Sequence, residues 1–138
     1  MTDDLNQAIK FAKQKKEKNK DSKRVPCVSV FKFEYEENLK TYEFKEADSD
    51  WFNTIIGFRK HGDDYKFKNY DLVIGKIADD STRLVLDSAI NNVYGNVNDP
   101  EVQKFIIRLL EVDRLKTQYC FKTDKAIKSL QYIETKYY

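Results

Sequence analysis

The stretch at 70–80 holds the most continuous apolar run in a chain that is otherwise strongly charged, made by Leu72, Val73 and Ile74 with Ile77. Because a half-exposed strand alternates apolar with polar residues, this largely β-branched run predicts a strand buried on both faces. Gly75 inside the run indicates a bulge or a close backbone approach. The Asp79-Asp80-Ser81 segment then supplies N-cap candidates for a helix that follows. A buried strand leading into a capped helix often carries a site, although most such strands only form core.

The composition indicates one folded domain over residues 1–138. The chain is 41% hydrophobic and 14% aromatic, too apolar for a disordered protein. No apolar run approaches the ~20 residues that cross a bilayer, and no signal-peptide region opens the chain, so we expect a cytoplasmic protein without membrane contact. Cys27 and Cys120 fall in predicted strands, and we expect both to be reduced core residues. Because the chain has one histidine and neither cysteine has a second one close to it in the sequence, we expect no structural zinc site.

The positive charge is concentrated at the N-terminus. The formal net charge is only +2, yet residues 1–24 carry eight basic and four acidic side chains. The lysine-rich run at 13–20 has two interpretations, a phosphate-contacting surface or a solvated helix end. We favour the solvated helix end, and expect no nucleic-acid partner, because no aromatic side chain is interleaved to stack on bases.

Caps, breakers and apolar spacing predict elements in the order α β β α β α α β α β. Since strands and helices do not alternate strictly, this order indicates an α+β fold. A basic helix and loop at 1–24, capped by Thr2-Asp3-Asp4, precede the core at 25–138. The strands at 25–35 and 39–44 are expected to pair as an antiparallel hairpin. The other predicted elements are helices 48–62, 81–94 and one opening at Pro100, strand 117–121, a short helix capped by Thr123-Asp124, and strand 131–135.

Motifs for catalysis are sparse. The chain has no P-loop, GxGxxG, HExxH or GxSxG motif. His61 is best explained as a solvated helix end. Asp71 and Asp79 are separated by a strand of roughly 25 Å, so they cannot share one ion. Gln118, in the predicted strand 117–121, is either an edge residue facing water or an amide placed to bind a ligand.

Three blocks of sequence nevertheless form a recognisable set. They are Trp51-Phe52-Asn53…Phe58-Arg59, Tyr70-Asp71-Leu72-Val73-Ile74-Gly75…Ala78-Asp79-Asp80, and Gln118-Tyr119-Cys120-Phe121…Ala126…Leu130. In this order they resemble a bacterial domain-of-unknown-function family of the ADP-ribosyltransferase superfamily. Members of that family are often encoded beside small partner proteins, in an arrangement like toxin–antitoxin pairs.

The resemblance implies a split, mainly antiparallel sheet with flanking helices that grips NAD through three motifs. The third motif is a strand that begins with Glu or Gln close to the reacting ribose, and it corresponds to Gln118. The second is a Tyr-x-Thr strand before a helix; Thr2 corresponds to its final Thr and residues 5–12 to the helix. The His-Gly strand and the stacking tyrosine have no counterpart in this chain. The resemblance therefore implies the C-terminal part of such a domain, lacking its N-terminal strands.

Two functions follow as expectations. The first is NAD-dependent transfer of ADP-ribose in the complete form, with the protein acting as the toxin of a toxin–antitoxin-like pair. The alternative is a non-catalytic module that binds a small partner protein, or a second copy of itself, through an exposed sheet edge, because unpaired backbone groups invite strand addition.

Overall fold

The computed structural model describes residues 1–19, 23–62, 65–76, 78 and 82–138. Over these residues the chain is α+β, as predicted. The described helices are α1 (Leu5–Asn19), α2 (Ser49–His61), α3 (Arg83–Ile90), α4 (Pro100–Leu109) and α5 (Asp124–Lys128). The described strands are β1 (Cys27–Phe33), β2 (Thr41–Glu43), β3 (Leu72–Lys76), β4 (Thr117–Phe121) and β5 (Leu130–Tyr137). Short 3-10 turns lie at Tyr65–Phe67 and Val112–Arg114.

The described strands form two separate small sheets. β1 and β5 make an antiparallel ribbon, and the second sheet has the order β2-β3-β4. In that second sheet β3 runs parallel to β2 and antiparallel to β4. One sheet is therefore antiparallel and the other mixed, and the split, mainly antiparallel sheet that the resemblance implies stays a prediction.

The predicted hairpin between residues 25–35 and 39–44 is wrong. β1 pairs instead with the last strand, and β2 pairs with β3. A turn signal shows that the chain reverses, but side-chain packing decides which strand becomes the neighbour. The Phe31 ring of β1 lies 5.7 Å from the Tyr132 ring of β5, whereas Tyr42 lies 5.0 Å from Phe67 and 5.5 Å from Tyr70, just before β3.

The main core lies between α2, α3 and α4. It contains a set of buried side chains that these helices and their connections contribute: Trp51, Phe52, Ile56, Leu86, Ala89, Val97, Ile106 and Leu110. Local signals define α2 as predicted. The Asp48 carboxylate accepts from the amides of Asp50 and Trp51 at 2.9 and 3.1 Å, and Gly62 ends the helix in the left-handed region at φ 65°.

The central strand β3 is confirmed, but its burial is uneven. Leu72 is fully buried, while the other four residues of β3 are half-buried. The close approach predicted at Gly75 is present, because a Cβ there would lie 3.0 Å from Cδ2 of Phe44. The predicted cap at residues 79–81 lies outside the described residues. The helix that follows is shorter than expected, since it ends at Ile90, before Asn92 at φ 55° and Gly95 at φ 111°.

The prediction that Cys27 and Cys120 are core residues is wrong, because both are free but exposed. Exposed and half-buried residues alternate along most of β1 and along β4, and each cysteine is one of the exposed residues. Among the described residues, no helix has the length and apolar character needed to span a membrane.

Candidate functional site

Gln118 lies on the exposed face of β4, together with Cys120. Antiparallel pairing sets it directly opposite Gly75 on β3. The neighbouring β3 residue, Lys76, accepts a hydrogen bond at its carbonyl from the indole N–H of the buried Trp51, at 3.1 Å. The sheet around Gln118 is therefore anchored to the helical core.

The start of the chain lies against the outer edge of β4. The Met1 α-amino group donates to the Tyr119 carbonyl at 2.7 Å, and the Tyr119 amide donates to the Met1 carbonyl at 2.8 Å. Two such reciprocal bonds define a hydrogen-bonded pair of an antiparallel ladder. Burial lowers the pKa of the Met1 amino group. This pairing places the beginning of α1 beside Gln118.

Side-chain contacts fix the first turn of α1 in this position. Asp4 caps the helix, because its carboxylate accepts from the Gln7 amide at 2.9 Å, and it also pairs with Lys116 at 3.1 Å. The Gln7 hydrogen bond, followed by that of Lys116, lowers the pKa of Asp4. The Thr2 hydroxyl donates to Gln7 Oε1 at 3.1 Å. The predicted cap at Thr2-Asp3-Asp4 is confirmed, with Asp4 in the capping role.

A cleft opens between α1, the first residues of β1 and the start of β4. Its volume is about 670 Å³, within the usual range for small-molecule sites. Gln118 and Thr2 line it near the start of α1, Cys27 and Ser29 line it from β1, and Ala78 from the segment after β3. The structure thus brings Gln118 and Thr2, the two residues that the resemblance assigns to motifs, into one cavity.

The α1 wall of the cleft changes character along the helix. Its residues recur at helical spacing on one face, apolar at first (Ala8, Phe11 and Ala12) and then basic, at Lys15 and Lys16. Lys10 and Arg24 add two further cations to the lining, whereas none of its described residues is acidic. Acidic and basic residues nearly balance in the whole chain, at 23 and 25. The cleft therefore favours an anionic ligand.

Sequence reasoning missed these lysines as part of the site. The run at 13–20 was interpreted as a solvated helix end, and Lys15 and Lys16 are indeed exposed, but they also line the cleft. Their spacing from Ala8, Phe11 and Ala12 is the signal that assigns all five side chains to one helical face.

The other candidate residues have structural roles. His61 is the exposed last residue of α2, away from the cleft lining. Asp71 joins three parts of the fold, since its carboxylate accepts from the Thr123 hydroxyl at 2.7 Å and the Lys40 amide at 2.9 Å, with Lys125 at 3.8 Å. The Thr123 hydrogen bond, then that of Lys40, lowers the pKa of Asp71. Among the described residues, no group of three His, Cys, Asp or Glu side chains can hold a metal ion.

The fold and the cleft define a small α+β domain with a cation-rich cavity beside an edge strand. A family model described as "Protein of unknown function (DUF3990)" matches residues 1–132, which include every element that lines the cleft. The chain belongs to this family. No curated protein and no solved structure matches the chain. Membership of a domain-of-unknown-function family is thus established, and the relationship to the ADP-ribosyltransferase superfamily stays a prediction.

Proposed function

We propose that the cleft is the NAD site of an ADP-ribosyltransferase-like domain. One observation carries this proposal. Gln118, the residue that the resemblance assigns to the reacting ribose, lines a cavity of about 670 Å³ in which every charged side chain among the described residues is cationic. An anionic dinucleotide is the ligand class that suits both features.

The lining has groups for each chemical part of NAD. Lys10 offers an ammonium group to the phosphates, and Lys15 and Lys16 keep the rest of the α1 wall positive. Phe11 and Val28 offer apolar surface to the rings, and both line the same cavity. Apolar lining with a few polar groups is typical of cofactor sites.

A second groove of about 560 Å³ provides a contrast. It lies between the start of α1, the start of α3 and the end of α4. Its lining mixes Asp4 and Glu111 with Lys10, Arg114 and Lys116. Four of these five charges are paired with one another, Asp4 with Lys116 and Glu111 with Arg114. Such a groove gives an anionic ligand little net attraction, so the cleft beside Gln118 is the better candidate.

The role of Gln118 follows from its amide. An amide can donate to and accept from ribose hydroxyls, but it cannot remove a proton or stabilise a developing positive charge as a carboxylate does. The residues of this chain therefore bind and orient the ADP-ribose part of NAD. We assign transfer itself to a form that also carries the His-Gly and Tyr-x-Thr motifs, because those groups position the nicotinamide and positioning is a large share of such catalysis.

Calorimetric titration of the chain with NAD tests the proposal. Gln118→Ala is expected to weaken binding by about five- to tenfold, the usual effect of losing a hydrogen bond to a ligand. Cys120→Ala is the matched control, since Cys120 shares the exposed face of β4 but does not line the cleft. Equal affinities for all three proteins, or no binding by the unaltered chain, would contradict the proposal.

A second candidate function rests on the outer edge of β4. Because the Tyr119 amide points outward to Met1, alternation along the strand directs the amide and carbonyl of Phe121 to the same edge. Within the described residues, only Met1 pairs with this edge. We propose that it accepts an antiparallel extended segment of a small partner protein, as in a toxin–antitoxin-like pair.

Hydrogen exchange tests this second candidate. In the isolated chain the Phe121 amide should exchange much faster than the Tyr119 amide, and addition of the partner should slow it. Strong protection of both amides in the isolated chain would show that the edge is already occupied and would exclude the candidate.

A further inference from the structure

The lysines of the cleft lie at two levels along α1. Gln118 is beside the start of the helix, because Met1 pairs with the adjacent Tyr119. With a rise of 1.5 Å per residue, Lys10 lies about 8 Å beyond Leu5 along the helix axis, and Lys15 and Lys16 lie about 15 Å beyond it. The cleft thus offers one ammonium group at mid-length and two at its far end.

Local contacts hold the far end in place. The Lys15 ammonium group lies 5.1 Å from the centre of the Phe11 ring, and the Asn19 side chain donates to the Lys15 carbonyl at 2.9 Å. Phe11, Lys15, Lys16 and Asn19 all line the cleft. Because Lys15 and Lys16 both line this end, an anion bound there gains charge-assisted contacts with their ammonium groups.

A dinucleotide bound with its reacting ribose at Gln118 places its other parts in a fixed order. The diphosphate follows that ribose directly, which matches the level of Lys10. The adenosine ribose comes after both phosphates, which matches the level of Lys15 and Lys16. A neutral hydroxyl on that ribose gains little from two ammonium groups, whereas a phosphomonoester carries nearly two negative charges at pH 7.

We infer that the cleft prefers a dinucleotide with a phosphate on its adenosine ribose, of the NADP type, over NAD. This inference rests on the proposed dinucleotide site. Lys15 and Lys16 act as specificity-determining residues, and Lys10 serves the diphosphate that both dinucleotides share.

Calorimetric titrations of the 138-residue chain with NADP and with NAD, at low salt, test the inference. NADP should bind about tenfold more tightly, which is reasonable for two partly exposed charge contacts. Lys15→Gln combined with Lys16→Gln should remove the preference, because it weakens NADP binding about tenfold more than NAD binding. The control combines Lys13→Gln with Lys45→Gln, which removes the same charge from exposed positions outside the cleft lining.

The outcomes separate the two claims. Equal affinities of the unaltered chain for NAD and NADP would overturn the phosphate preference and leave the NAD site standing. A preference for NADP that survives the Lys15 and Lys16 substitutions, or is lost equally in the control, would overturn the assignment to these lysines. Failure of both dinucleotides to bind would overturn the site itself, and the inference with it.

Discussion

Two glycine-to-alanine substitutions should change stability in opposite directions, because only one of the two glycines is closely packed. Gly57 lies within α2 with no atom inside 4 Å of the position of an added Cβ. At Gly75 the same Cβ would lie 3.0 Å from Cδ2 of Phe44 and 3.6 Å from Cδ1 of Trp51. Neither glycine has a positive φ, so backbone strain does not contribute to either result.

The expected magnitudes follow from these contacts. Gly57→Ala should raise the free energy of unfolding by about 1 kcal/mol, the propensity difference within a helix. At Gly75, the lower entropy of the unfolded chain favours alanine by about 0.4–1 kcal/mol, but overpacking costs about 1–3 kcal/mol. We therefore expect Gly75→Ala to lower the free energy of unfolding by about 1 kcal/mol, which separates the two melting temperatures by roughly 6 °C.

Urea denaturation followed by far-ultraviolet circular dichroism measures both values. Fluorescence of Trp51, the only tryptophan, provides a second probe because this side chain is 2% exposed. Adding Phe44→Leu to Gly75→Ala should recover part of the loss, since the contact at 3.0 Å is with the Phe44 ring. A Gly75→Ala protein as stable as Gly57→Ala would refute the packing described for β3 against Phe44 and Trp51.

Three further substitutions test separate features. Gly95→Ala should cost about 2 kcal/mol in urea denaturation, because φ is 111° and the new Cβ would lie 3.1 Å from Cγ2 of Val102. The folded-state pKa of Asp71 lies below its ordinary value of 3.8, so its contribution to stability is complete above that pH and is lost as the pH falls through the folded-state value. Asp71→Asn should therefore destabilise the protein at pH 7 and lose less stability than the unaltered chain between pH 5 and pH 2. In a form that also carries the His-Gly and Tyr-x-Thr motifs, Gln118→Glu should increase release of nicotinamide from NAD, since a carboxylate stabilises the developing positive charge on the ribose. An unchanged rate in that form would place Gln118 away from the ribose.

The local elements were predictable because their signals lie within a few residues. Asp48 and Gly62 bound α2 by capping it, and Pro100 opens α4 with Asp99 as its cap. The bounds of β4 are those predicted, since Thr117 and Phe121 delimit a short run rich in β-favouring residues. None of these assignments needed a distant part of the chain.

The errors concern contacts between distant residues. The pairing of β1 with β5 joins residues about a hundred positions apart, and no turn signal reports it. The exposure of Cys27 and Cys120 depends on which face of each strand remains uncovered, which composition does not reveal. The cationic wall of the cleft was partly predictable, because Lys15 and Lys16 share a helical face with Ala8; the strands that complete the cavity were not.

Nuclear magnetic resonance of the isotope-labelled chain during titration with NAD tests the central claim most directly. The account predicts that the backbone signals of Gln118, of residues 27–29 at the start of β1, and of residues 8–16 along α1 shift together, with one dissociation constant. Signals around the second groove, such as those of Leu109 and Glu111, should stay unchanged. Shifts confined to the second groove, or no shifts at millimolar NAD, would contradict the assignment of the cleft as a dinucleotide site.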